Sequence, residues 1–272
     1  MTTSSTPTAT ESEASTVLLE SRDGVSWVTL NRPERLNAID LDTHLLLNTT
    51  LQQADVDPDT RVIVLTGAGR GFCAGGDVKG MEGKSSFGTS SMQVHSPGRH
   101  LINTMVSLEK PVIAMVNGVA VGLGATIALM ADVVIMAEEA KIGDRHVNVG
   151  LVAGDGGAVI WPLLIGLSRA KEMLMTGRML TGPEAASIGL ISRAVPQERL
   201  QHEVTELAEE LAGLPPYAVR ATKLSVNRLL SAVQGTALDV SLAYEHLSMK
   251  TADHQEAISA WREGRPGVYT GK

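Results

Sequence analysis

Two glycine-rich segments, each directly after a run of aliphatic residues, constrain the fold of this chain most. The first spans residues 66–81 (TGAGRGFCAGGDVKGM) and the second residues 116–132 (VNGVAVGLGATIALMAD). The runs before them, residues 61–66 and 111–116, are rich in β-branched residues and predict buried strands. Glycine at a strand end lets the backbone approach a ligand closely and adopt positive φ angles. Residues 125–131 predict a buried helix whose first amides point outward, where negative charge is favoured.

Together the two segments predict a site in which two backbone amides bind an oxyanion. The ordinary interpretation of either segment alone is a turn. Residues 69–74 (GRGFCA) also match a short dinucleotide-binding fingerprint, which would indicate a nicotinamide enzyme. The context argues against that alternative. No acidic residue ends a second strand about twenty residues later, and residues 79–97 are polar and poor in strand formers.

Length and composition agree with a compact soluble enzyme. A chain of 272 residues with 43% hydrophobic residues can bury a large core, and it predicts one catalytic domain with a helical extension. The net charge of −7 argues against nucleic acid as the main partner. The lone Cys73 excludes an internal disulfide, and no His/Cys cluster has metal-ligand spacing. We therefore expect a cytoplasmic protein without a bound metal.

Apolar segments do not suggest a membrane protein or an exported one. No uninterrupted apolar run is long enough to span a bilayer. Residues 1–15 are rich in Ser and Thr and lack the apolar centre of a signal peptide, so they predict a disordered tail.

The order of predicted elements indicates the α/β class. Asp23-Gly24 predicts the turn of a hairpin over residues 17–30. Capping patterns at Thr181 and Asp253 predict the starts of two later helices. Residues 16–196 form the predicted α/β core, and residues 197–272 form a predicted helical region. The other predicted elements are helices over residues 39–54 and 99–108, strands over 133–137 and 141–143, and mainly helices after residue 157.

Six segments, in this order and spacing, resemble the enoyl-CoA hydratase/isomerase (crotonase) superfamily, and the resemblance covers residues 16–269. It implies a spiral of ββα units with a helical C-terminal trimerisation region, assembled as a homotrimer or a dimer of trimers. It also implies an acyl-CoA substrate and no tightly bound cofactor, coenzyme A being part of the substrate. The matching segments are residues 31–39 (NRPERLNAI), 71–79 (GFCAGGDVK), 110–118 (KPVIAMVNG), 150–157 (GLVAGDGG), 175–196 and 253–269.

The resemblance assigns roles to individual residues. It implies that the backbone N–H groups of Gly76 and Leu123 form the oxyanion hole for a thioester enolate. It also implies a set of contacts to CoA, for which the alternative at the charged positions is ordinary surface charge. The members of this set are Arg70 and Lys79 at the phosphates, Ala74 at the adenine, and Trp261 and Arg265 near the C-terminus.

The acid and base positions depart from the hydratase pattern. Hydratases of this superfamily carry glutamates at the positions of Thr126 and His146, so a two-glutamate hydration cannot run here in its usual form. His146 and Asp155 instead predict a neutral imidazole base that a carboxylate orients. The alternative is a structural histidine, with Asp155 as the N-cap of the helix after it.

A His-then-Asp arrangement is similar to that of β-diketone hydrolases within the superfamily, which cleave a C–C bond and also use a glutamate from the helical region. Glu245 stands at a matching distance, although it could equally be an ordinary helix residue. Three hypotheses remain open. The chain is a CoA-dependent enzyme of hydration, isomerisation or C–C hydrolysis, a CoA-independent β-diketone hydrolase, or a catalytically quiet acyl-CoA-binding protein.

Overall fold

Hydrogen bonding assembles the strands into two sheets. The computed structural model describes residues 15–77 and 97–272. Within them the strands are β1 (Val17–Arg22), β2 (Val25–Leu30), β3 (Val62–Gly67), β4 (Gly71–Cys73), β5 (Val112–Val116), β6 (Val119–Val121), β7 (Val133–Ala137), β8 (Lys141–Gly143), β9 (Leu180–Thr181) and β10 (Arg193–Val195). The larger sheet has the order β1-β2-β3-β5-β7-β10, and the smaller has the order β4-β6-β8-β9.

The larger sheet begins with the predicted hairpin and continues in parallel. Asp23 and Gly24 have φ angles of +51° and +79°, which are the positive values that a tight hairpin turn requires. From β2 onward each strand pairs in parallel with the next. Every residue of β3 and β5 is buried, as expected for parallel strands covered on both faces.

The helices cover this framework. They are α1 (Leu41–Val56), α2 (Pro97–Ser107), α3 (Leu123–Leu129), α4 (Gly157–Ile165), α5 (Leu167–Thr176), α6 (Gly182–Ser187), α7 (Gln197–Gly213), α8 (Pro216–Ser248) and α9 (Ala252–Glu263). Helix α7 packs on the larger sheet, α8 packs on α2 and α4, and α9 packs on residues 146–149. The predicted division at residue 196 therefore marks a change of element type rather than a separate body. Among the described helices, none combines the length and apolarity needed to cross a membrane.

Local signals in the sequence predicted most of these elements. Strands β7 and β8 have the predicted bounds, and Thr181 caps α6 through a complete capping box with Glu184. Helix α3 begins two residues before the predicted start. The cap predicted at Asp253 is wrong, because Thr251 caps α9 and the Asp253 carboxylate accepts hydrogen bonds from the backbone of residues 270 and 271.

Candidate active site

The two glycine-rich loops meet side by side, and glycine is required where they touch. Strand β4 pairs in parallel with β6. A Cβ on Gly75, whose φ is +91°, would lie 2.7 Å from the carbonyl oxygen of Val121. A Cβ on Gly124 would overlap the carbonyl oxygen of Cys73. Larger residues at either position would separate the loops, so these glycines permit close backbone approach.

Two backbone amides at this contact have no acceptor among the residues that the structure describes. Ile39 donates a backbone hydrogen bond to Gly75 (2.8 Å) and accepts one from Asp77 (3.0 Å). The N–H of Gly76, between them, is therefore turned away from Ile39. Leu123 is the first residue of α3, where the helix itself supplies no acceptor for an N–H. Among the described residues neither N–H has an acceptor, so both can donate to a bound oxygen atom.

His146 lies between two carboxylates. It begins a 3-10 turn (His146–Val149) shortly after β8. Its Nδ1 lies 2.7 Å from Oδ1 of Asp144, and its Nε2 lies 3.3 Å from Oδ2 of Asp155. All three side chains are largely buried, the most exposed being His146 at 12%. Because each ring nitrogen faces a carboxylate, the arrangement favours the imidazolium, in which both nitrogens are donors.

Glu245 reaches this cluster because a glycine-containing loop packs directly on α8. The hydroxyl of Ser241 donates to the carbonyl oxygen of Gly154 (3.0 Å), and that of Ser248 accepts from a backbone N–H of the same loop (3.2 Å). A Cβ on Gly154 would lie 2.5 Å from both Cβ and Oε2 of Glu245. Only glycine permits this contact. Asp155 is the next residue, so the loop brings its carboxylate near Glu245.

The amides and the ionisable cluster border the same space. A Cβ on Gly122, which precedes Leu123 and has a φ of +54°, would lie 3.2 Å from Cε1 of His146. Within α3, the hydroxyl of Thr126 donates to Oδ1 of Asp155 over 3.4 Å. Helix α3 thus begins at the Leu123 amide and contacts the charged cluster one turn later.

The side chains of the cluster shift one another's pKa values. Burial lowers the pKa of His146, but the charges of Asp155 and Asp144 and their hydrogen bonds outweigh it and raise the pKa well above 6.5. Burial, followed by the charge of Asp155, raises the pKa of Glu245 to about 8 against the opposing charge of His146. The surroundings therefore favour the imidazolium form of His146 and the uncharged form of Glu245.

The geometry of the cluster favours a hydrogen-bonded network over a metal centre. Asp144, His146 and Asp155 offer possible ligand atoms that lie within 4.8 Å of one another. The two carboxylates contact opposite nitrogens of the ring, however, so the imidazole stands between them. A metal ion would need these atoms to converge on one point.

The CoA contacts implied for the first glycine-rich loop are only partly within the described structure. Arg70 is exposed in the turn between β3 and β4. Ala74 is half-buried, and its N–H donates to the carbonyl of Leu36 (3.0 Å). Lys79 lies outside the described residues.

The C-terminal contacts to CoA receive unequal support. Trp261 lies on α9 with 56% of its surface exposed. The Arg265 guanidinium already pairs with Glu256 and Glu263 of its own chain, at 2.5 Å from each. Arg265 would have to exchange these partners to bind a phosphate.

Two expectations for the cluster are wrong. Asp155 is not a helix cap, because α4 begins after Gly156 and no side chain caps it. Asp155 is not the only carboxylate that orients His146, because Asp144 contacts Nδ1 at the shorter distance, and burial is outweighed by the charges of Asp155 and Asp144, which raise the pKa of the ring well above 6.5.

Two residues of this region were not expected from the sequence. Asp144 stands two positions before His146, a spacing that on its own indicates nothing. His44 lies on the buried face of α1 with Leu47 and Leu51, and helical periodicity could have identified it. Burial lowers the pKa of His44 to about 4, although the charge of Asp155 opposes the shift. Its Nε2 is buried without a hydrogen-bond partner in the described part of the chain.

The chain is similar over nearly its whole length to known proteins. Residues 20–272 match the family described as Enoyl-CoA hydratase/isomerase. A 1,2-epoxyphenylacetyl-CoA isomerase of Escherichia coli is 36% identical over 94% of this chain and 98% of its own length. A short-chain-enoyl-CoA hydratase of Clostridium acetobutylicum is 31% identical over 93% and 97%, respectively. A solved enoyl-CoA hydratase/isomerase of Mycobacterium paratuberculosis superimposes with a TM-score of 0.81 at 34% identity, covering 90% of this chain and 97% of that one.

Proposed function

The chain belongs to the enoyl-CoA hydratase/isomerase family, and we propose that it is an enzyme that acts on an acyl-CoA thioester through an enolate. It has the α/β crotonase fold with a helical C-terminal region. The observation that carries the proposal is the junction of two unpaired amides with a buried cluster of ionisable side chains. The amides are suited to a developing oxyanion, and the cluster is suited to moving protons at the adjacent carbon atoms.

The oxyanion step depends on the backbone. The N–H groups of Gly76 and Leu123 donate to the thioester oxygen as negative charge moves onto it. Their positions are held by the glycine contacts between the two loops, so little reorganisation accompanies the reaction. A single donor of this kind is typically worth about 2.7–4 kcal/mol of the barrier.

The proton transfers depend on the cluster. At neutral pH the His146–Asp155 pair holds one proton on the imidazolium, which leaves the Asp155 carboxylate as the acceptor of the pair. Glu245 is uncharged at this pH and is the donor. The two hydratase glutamates are absent, but Asp155 and Glu245 supply one basic and one acidic carboxyl group from other positions of the chain.

One basic and one acidic carboxyl group fit three reactions, each of which passes through an enolate. In hydration, water adds to the β-carbon and gives its proton to the His146–Asp155 pair, and Glu245 then protonates the α-carbon. In isomerisation, the pair removes a proton from one carbon and Glu245 returns one to another. In C–C hydrolysis, the activated water attacks a β-carbonyl, the C–C bond breaks to give the enolate, and Glu245 protonates that enolate.

A second candidate is a CoA-independent β-diketone hydrolase. The proximity of Glu245 to Asp155 and His146 favours it, because the resemblance to those hydrolases implies the same three residue types. The exposed Arg70 in the first glycine-rich loop favours the CoA-dependent enzyme instead.

One screen distinguishes these candidates. The purified protein is incubated with a panel of enoyl-CoA, β-ketoacyl-CoA and CoA-free cyclic 1,3-diketone substrates, and products are identified by mass spectrometry. We expect turnover of an acyl-CoA, with crotonyl-CoA a poor substrate because both usual glutamates are absent. Turnover restricted to CoA-free diketones would establish the second candidate. Tight CoA binding without any turnover would indicate a catalytically quiet protein.

The assembly that we propose is a homotrimer or a dimer of trimers. Helix α8 exposes several large apolar side chains that a second copy could cover, namely Tyr217, Val226, Leu229, Val240, Tyr244 and Leu247. Light scattering at micromolar concentration should give the mass of three or six chains. The mass of one chain would refute this assembly.

A further inference from the structure

Asp144 makes the closest side-chain contact with His146. It follows β8 directly, and its side chain is fully buried. Its Oδ1 lies 2.7 Å from Nδ1 of His146 and also accepts the backbone N–H of the same residue over 3.1 Å. One carboxylate oxygen thus fixes both the ring and the backbone from which the ring projects.

The second carboxylate oxygen of Asp144 is buried against the start of α4. This oxygen, Oδ2, has no hydrogen-bond partner in the described residues. That oxygen faces Gly157 at the start of α4, where any Cβ would overlap it. A buried carboxylate is costly unless it is paired, and the partner of the Asp144 carboxylate is His146.

Asp155 is held less firmly. Its contact with Nε2 is 3.3 Å, and its bond from the Thr126 hydroxyl is 3.4 Å, close to the limit for a hydrogen bond. A carboxylate with two long contacts can give up one of them to accept a hydrogen bond from water or a proton from the substrate. The two carboxylates therefore differ in rigidity although they flank the same ring.

We propose that Asp144, rather than Asp155, is the positioning residue that orients His146 and keeps a proton on Nδ1, leaving Asp155 and Nε2 to face the reacting atoms. The consequence for catalysis rests on the proposed function. The charged and titratable groups that face the ring are Asp144 from the segment after β8, Asp155 from the loop before α4, and Glu245 from α8. When His146 loses a proton at high pH, it should lose the one on Nε2.

Nitrogen-15 spectra of histidine-labelled protein test the assignment without any substrate. In the wild type, we expect His146 to remain an imidazolium well above pH 6.5 and then to become the Nδ1–H tautomer. Asp144→Asn should lower the titration midpoint of His146 and populate the Nε2–H tautomer. Asp155→Asn should also lower the midpoint but keep the Nδ1–H tautomer. The exposed Asp59→Asn is the matched control and should leave the His146 signals unchanged.

Kinetics provide the second readout. With the acyl-CoA substrate identified by the screen, Asp144→Asn should reduce kcat about 100-fold or more with little change in KM, because the ring is misoriented while the binding loops are intact. A neutral wild-type ring protonated on Nε2 would overturn the proposal even if the variant does not fold. So would a folded Asp144→Asn protein with wild-type tautomer and kcat. Absence of acyl-CoA turnover with the Nδ1–H signature intact would reject the proposed function and leave the assignment standing.

Discussion

The two glycine-rich loops and the ionisable cluster lie side by side but are built in different ways. The loops depend on backbone approach, which requires glycine at positions such as 75 and 124. The cluster depends on side chains from separate segments, with Asp144 and His146 after β8, Asp155 before α4 and Glu245 on α8. Glycine positions are visible in a sequence, whereas the charge of a buried group depends on neighbours that only the fold brings together.

The largest effect should come from removing the acid of the cluster. Glu245→Gln keeps the size of the side chain but cannot donate the proton that the enolate requires. We expect turnover of the acyl-CoA substrate to fall about 10²–10⁴-fold, the usual range for a positioned acid or base. Steady-state kinetics on the purified variant measure this directly. Glu209→Gln, an exposed change on α7, should keep wild-type turnover.

The stability of Glu245→Gln, measured against pH, shows whether a loss of activity comes from lost proton donation or from unfolding. The pKa of Glu245 in the folded protein is about 8, above its ordinary 4.5, so the folded state binds a proton that the unfolded state releases between these values. The wild type therefore loses stability as the pH rises from 4.5 to 8. Glu245→Gln removes that dependence and should be at least as stable as the wild type at pH 8. A variant that is inactive and also unstable there would contradict an acid role.

Charge reversal in the first glycine-rich loop should affect binding of the substrate rather than the chemical step. Reversing both Arg70 and Lys79 to Glu should weaken acyl-CoA binding well over tenfold, because each charge-assisted phosphate contact is worth about 1.5–3 kcal/mol. Calorimetry with CoA measures the change. Equal affinity in the double variant would remove both residues from the CoA site, and absence of CoA binding by the wild type would favour the β-diketone hydrolase.

Replacing glycine by alanine should have opposite effects on stability at a position of close contact and at an open position of a helix. Gly154→Ala places a methyl group 2.5 Å from atoms of Glu245, and we expect it to lower the free energy of unfolding by about 1–3 kcal/mol. Gly235→Ala, within α8, meets nothing within 4 Å and should stabilise the helix by about 0.5–1 kcal/mol. Denaturant titration of both variants gives the comparison. Equal stability would show that the loop moves away from α8 without cost.

The sequence predicted the parts of the molecule that local patterns determine. The Asp23-Gly24 hairpin, strands β7 and β8, and the Thr181 capping box follow from turn chemistry, periodicity and spacing. The cap at Asp253 was wrong because a distant backbone segment takes its carboxylate. Elements that neighbouring residues determine were therefore predicted correctly, whereas the role of Asp253 depends on a segment far along the chain.

In the candidate site, too, some features could be predicted from the sequence and others depend on contacts between distant segments. The fold places Gly75 beside the backbone N–H of Leu123 and Asp155 beside Nε2 of His146, while the catalytic roles that the resemblance implied stay predictions. The raised pKa of His146 could not be predicted, because nothing in the spacing of Asp144 indicates that it contacts the far side of the ring. His44 was missed for a different reason, since its helical spacing from Leu47 and Leu51 already indicated the buried face of α1.

The dependence of kcat/KM on pH, measured with the acyl-CoA substrate, tests the central claim most directly. An uncharged Glu245 beside a cationic His146 predicts a rate that is constant between about pH 6 and 7 and falls roughly tenfold per unit as the pH rises above about 8. The opposite profile, in which the rate falls as the pH drops through about 6.5, is that of a neutral imidazole base. That profile would contradict the account, since it would mean that the two carboxylates do not keep His146 protonated.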